Sequence, residues 1–141
     1  MKEFLLAVII FILPSLSNCQ ISERYDCPQF DKLFTKSEVR PKFGKDTTDL
    51  QNYFVRSFKR ISYSFDAKIL ILINIDSEGS PCCTQIIKSI DGVVDFQKIK
   101  EIVDGMPKWA SAKQDGHDVN SYVSLQLSYT QHKLNVLLSQ N

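Results

Sequence analysis

Apolar positions along the chain recur with two spacings, and each predicts its own kind of element. Leu50, Tyr53, Phe54, Phe58 and Ile61 follow one another at steps of three and four. That repeat places them on one face of an α-helix. Asp46 or Thr47 stands where a short polar side chain accepts from the first free amides, and Asp49 adds negative charge where the helix dipole favours it. From Lys68 the period changes to two. Ile69, Ile71, Ile73 and Ile75 share one face of a predicted strand. Lys68, Leu70, Leu72 and Asn74 share the other, whose apolar middle calls for a cover, and the C-terminal tail is the candidate.

Asp76–Gly79 reads as a tight hairpin turn, with Gly79 supplying a positive φ. An antiparallel strand returns over roughly Cys82 to Ile90. Asp95 then caps a second helix whose buried face is Phe96, Ile99, Ile102, Val103 and Met106. Gly105 and Pro107 end it, the glycine in a left-handed cap and the proline barring continuation. Gln114–Gly116 is a turn. Val123, Leu125, Leu127 and Tyr129 mark a third strand with its other face in solvent. Val39–Phe43 reads as a short edge strand, because Pro41 cannot donate to a ladder. Residues 20–38 show no period and read as a lead-in to a domain spanning 39–130. In the tail, 131–141, Leu134, Val136 and Leu138 alternate while Leu137 interrupts. The stretch is too short for an independent helix. It is expected either as an edge strand or packed over Leu70 and Leu72. The sum is an α+β fold: a three-stranded antiparallel sheet with two helices packed on one face.

Residues 1–19 read differently. Lys2 precedes an unbroken apolar run, Phe4 to Leu13, with Pro14 and small or polar residues after it. The run is short for a bilayer span and reads as a cleaved secretory signal, with a short uncleaved anchor as the alternative. Leu16-Ser17-Asn18-Cys19 resembles a lipobox, which makes Cys19 a candidate lipidation site. Cleavage after Cys19, ahead of Gln20, is the rival. Either places the domain outside the cytoplasm, in the periplasm or at the outer membrane.

The chain has 141 residues, 17 of them basic and 16 acidic, with a net charge of +1. One small domain fits that length, and no basic surplus points to nucleic acid. An extracytoplasmic setting permits a disulfide. Cys82 and Cys83 are neighbours on a strand and face opposite ways, so Cys27 can pair with Cys82 or with Cys83, not both. No Cys-x-x-Cys occurs, and His117 and His132 are not spaced as a ligand pair, so no metal or cofactor is expected. Ser111, Asp115, His117 and Asp118 crowd one stretch, but turns favour such residues, and no nucleophile motif surrounds them. No catalytic residue is assigned.

The stretch from "ILILINIDSEGS" to "MPKWASAKQDGHDVNSYVSLQLSY" closely resembles the C-terminal domain of TonB-type energy transducers in the form common in Bacteroidetes. The resemblance covers roughly residues 39–130. Its most specific part is Met106, Pro107, Trp109, Gln114 and Gly116. "ASA", Ala110 to Ala112, stands where that family has Pro-Gly. The resemblance implies an α+β domain that binds a peptide segment of an envelope or outer-membrane protein by pairing it with a sheet edge. Transducers also carry a membrane anchor and a long proline-rich spacer. Residues 20–38 do not supply that reach, so a binding role is expected without energy transduction. A structural or assembly lipoprotein with no peptide ligand is the alternative. Trp109, just past a helix end, is expected to pack at the junction.

Overall fold

The computed structural model of the protein describes residues 21–63, 65–89 and 92–139. Cys19 and the rest of the candidate signal lie outside them. Asp46 opens helix α1 (Thr47–Arg60) with a capping box: its carboxylate accepts from the Thr48 amide at 2.8 Å, and Asp49 reaches back to the Asp46 amide. Two otherwise orphaned donors are satisfied in this way. Asp95 caps α2 (Phe96–Asp104) without the reciprocal bond, its carboxylate accepting from the Lys98 amide at 3.2 Å while its own amide donates to the Tyr63 hydroxyl. The left-handed cap expected of Gly105 is absent. Its φ is −83°, and its amide donates to Glu101 while that of Met106 donates to Val103. The helix ends on ordinary right-handed geometry, and Pro107 follows.

The main sheet has five strands, not the three expected: β1 (Ile21–Arg24), β2 (Ile69–Ile75), β3 (Pro81–Lys88), β6 (Ser121–Thr130) and β7 (Lys133–Ser139). Their order is β1-β3-β2-β6-β7, and every pairing is antiparallel. The added strands are the edges. Arg24 of β1 lies opposite Gln85, and Ile21 opposite Lys88. β7 returns from β6 through Gln131 and His132, whose φ values of 52° and 61° suit a two-residue turn. A separate ribbon joins β4 (Ala112–Gln114) to β5 (His117–Val119) through Asp115 and Gly116, both at positive φ. Val39–Phe43 is not a strand. It makes only single bridges, Val39 to Lys113 and Lys42 to Ala110.

Ile69, Ile71, Ile73 and Ile75 are all buried, with Val123, Leu125 and Leu127 beside them on β6. Phe54 and Phe58 of α1 and Ile99 and Val103 of α2 close over this face. The Tyr53 hydroxyl donates to the Ile102 carbonyl at 2.6 Å and ties the two helices together. Leu134, Val136 and Leu138 lie opposite Tyr129, Leu127 and Leu125, so β7 extends the same inner face. Leu137 points the other way and is 62% exposed. The tail therefore lies beside β6 and not over Leu70, which is 37% exposed.

Between Leu72 and Ile73 the register with β3 shifts and Thr84 is left over, a bulge whose hydroxyl donates to the Leu72 carbonyl. Cys82 falls opposite Asn74 and Cys83 opposite Ile73. Cys82 forms a disulfide with Cys27 across a Cα–Cα distance of 6.0 Å. Cys83 is free and fully buried.

Candidate functional site

Met106 to Gly116 forms a joint. Trp109 is 3% exposed and meets Phe43 edge to face at 5.3 Å. Its amide donates to the Gly79 carbonyl at 2.8 Å. Gly79 has φ +86°, and a β-carbon there would stand 2.0 Å from the Trp109 carbonyl oxygen. The hairpin turn and the segment after α2 thus need a glycine at their contact. Met106 is buried and Pro107 exposed. The Gln114 side chain accepts from the Glu38 amide at 3.2 Å and donates to the Glu38 carboxylate at 3.1 Å. Backbone bonds join Val39 to Lys113 in both directions and Lys42 to Ala110 in both directions. The joint therefore holds residues 38–43 in place.

Ser111, Lys113 and Asp118 meet there. The Ser111 hydroxyl donates to Asp118 at 2.8 Å, as does the Lys113 ammonium. These bonds, Lys113 first, hold the Asp118 carboxyl below its ordinary range. Asp118 is exposed in β5, and Ser111 is half-buried just ahead of β4. His117 is exposed. Among the described residues no group of three or more His, Cys, Asp or Glu side chains could hold a metal ion. Burial, followed by the nearby Asp104 carboxylate, pushes the Cys83 thiol up to about 12, which keeps it protonated and unreactive.

The outer edge of β7 carries no further strand among the described residues. Residues 40–43, part of the segment held by the joint, line a cleft beside it. Thr130 pairs with Lys133 across the two-residue turn. Antiparallel strands alternate closed and open pairs, so the backbone groups of Leu134, Val136 and Leu138 point away from β6. Two of them meet Gln51 of α1. Its Nε2 donates to the Leu134 carbonyl, and its Oε1 accepts from the Val136 amide at 2.9 Å. Beyond Gln51 the edge opens on a cleft of about 740 Å³. Pro41, Phe43, Leu50, Val136 and Leu138 give it an apolar wall, and Arg40 and Lys42 stand exposed at its rim. On the other side of Gln51 a second cleft, of about 580 Å³, follows His132, Lys133 and Leu134.

The sequence offers the tail as an edge strand, or packed over Leu70 and Leu72, covering an edge where a peptide could pair; it gives no sign of Gln51. The residue sits in α1 with no motif around it, and its partners are more than eighty positions away. Comparison with protein-family models, with curated proteins and with solved structures finds no match for the chain. Among the described residues no helix is long and apolar enough to cross a membrane.

Proposed function

We propose that the protein is an extracytoplasmic binding module that pairs an extended peptide from an envelope or outer-membrane protein with the free edge of β7. The observation that carries this reading is the cleft beside Val136 and Leu138. There a strand's outward backbone groups and an apolar wall face the same space. Strand addition needs both: the backbone supplies affinity, and pockets for alternate side chains supply selectivity. The resemblance of Met106 to Gly116 to TonB-type C-terminal domains supports the same reading, since in that family a peptide pairs with a sheet edge.

Amide hydrogen exchange tests it, with a tiled set of peptides from outer-membrane and periplasmic proteins as the probe. Binding that slows exchange at Leu138 supports edge pairing. Binding that leaves Leu138 unchanged, or no binding across the set, refutes it. The extracytoplasmic setting has its own check. The intact mass of the mature protein should correspond to a start at Cys19, with acyl chains, or at Gln20; a chain retaining Met1 removes that part of the reading.

A further inference from the structure

A groove runs along the whole outer edge of β7, and one side chain divides it. The cleft beside Val136 to Leu138 and the cleft beside His132 to Leu134 share a single lining residue, Gln51. Its carboxamide offers an N–H donor and a carbonyl acceptor side by side, as a peptide unit does, with one further N–H to spare. It meets one outward carbonyl and one outward amide of β7, those of Leu134 and Val136. In hydrogen-bonding terms it stands where one residue of a sixth strand would stand. We propose that Gln51 is a strand stop. It fixes the register of a peptide added to β7 by holding Leu134 and Val136, and it confines the peptide to the Val136–Ser139 half.

This inference depends on the edge-pairing reading above and adds which strand fits. The peptide is short, extended and acidic. Its backbone is left the Val136 carbonyl and both groups of Leu138. Its inward side chains meet Pro41, Phe43 and Leu50. The charge at the rim is basic on balance: Arg40 and Lys42 are exposed there against one carboxylate, Asp46, which stays ionised and turns its oxygen to the Thr48 amide and hydroxyl. Acidic side chains on the peptide's outward face match that rim, and the match weakens with salt.

Two seven-residue probes decide the matter, one alternating valine with glutamate and one alternating valine with lysine. They are added to the wild type, to Gln51→Ala and to Gln51→Glu. The last keeps an acceptor for the Val136 amide and loses the donor. In the free proteins, Val136 should exchange at least tenfold faster in Gln51→Ala than in the wild type and stay slow in Gln51→Glu. The glutamate probe should protect Leu138 of the wild type and bind more tightly than the lysine probe at low salt. In Gln51→Ala, two freed ladder groups should tighten it roughly five- to tenfold. Binding that Gln51→Ala leaves unchanged in affinity and in protected amides overturns the stop and leaves edge pairing standing. Preference for the lysine probe overturns the acidic partner. No binding of either probe to any of the three proteins, with Val136 exchange equal in all of them, overturns both.

Discussion

Replacing Trp109 by alanine tests the joint most directly. The side chain is 3% exposed and packed edge to face on Phe43. Truncating a buried tryptophan costs about 3–5 kcal/mol from lost transfer energy and the residual cavity. One feature moves the value down within that range. The indole Nε1 is buried and has no hydrogen-bond partner among the described residues. An unsatisfied buried donor already costs about 1–3 kcal/mol, and the truncation removes it. The expected loss is therefore about 3 kcal/mol, a large share of the ~5–15 kcal/mol typical of a single domain. For a domain of this length it lowers Tm by roughly 10–15 °C. Trp109→Phe separates the two effects. It keeps a ring against Phe43 and discards the orphan donor, so it should stay within about 1 kcal/mol of the wild type. Urea and thermal unfolding without reductant, followed by far-ultraviolet circular dichroism, give both numbers. A Trp109→Ala protein that melts within about 2 °C of the wild type would show that the side chain is not packed as described. A phenylalanine variant as damaged as the alanine one would show that the indole donor has a partner.

Gly79→Ala should cost more than Gly116→Ala. Both positions have positive φ, which alone costs about 1–2 kcal/mol for a side chain, but only at Gly79 would the new carbon strike the Trp109 carbonyl; equal melting points would refute the contact. Changing Cys27 and Cys82 together to serine should remove about 2–4 kcal/mol by releasing a 55-residue loop in the unfolded chain, with denaturant midpoints as the readout. Cys83 should resist thiol reagents until the protein unfolds. Its thiol is raised from an ordinary value near 9 to about 12 when folded, so the unfolded chain sheds that proton first. This contribution to stability is intact below pH 9 and lost as pH rises toward 12; a Cys83→Ala variant should lack that alkaline slope.

Local chemistry made some elements legible and left others hidden. Asp46 and Asp95 cap helices because a carboxylate and the amides it serves are near neighbours in sequence. The isoleucines of β2 alternate because one face of the strand is buried under the helices and the other is left partly open. β1 offered no such sign. Ile21–Arg24 has four exposed residues and no alternation, and it is a strand only because the β3 edge is there to pair with. In β7, Leu137 obscured a pattern that Leu134, Val136 and Leu138 keep, since an exposed leucine on the outer face looks like an interruption. Gly105 was misjudged because a glycine near a helix end suggests a left-handed cap, whereas Pro107 ends this helix two residues later without one. The stretch from Met106 to Gly116, singled out in the sequence by its resemblance, forms the joint. The edge that the joint serves depends on Gln51, whose role exists only once the chain has closed on itself.

The link between Cys27 and Cys82 also decides how the protein would bear a load. Tension applied ahead of Ile21 reaches β1 first, a four-residue edge strand whose pairing with β3 can be peeled away. The force then meets a covalent bond and passes at Cys82 straight into the sheet. Residues 28–81, with α1 and the whole of β2 among them, are shunted out of the line of force. Pulled from that end, the chain would lengthen by a few residues and stop, with the groove beside β7 still intact.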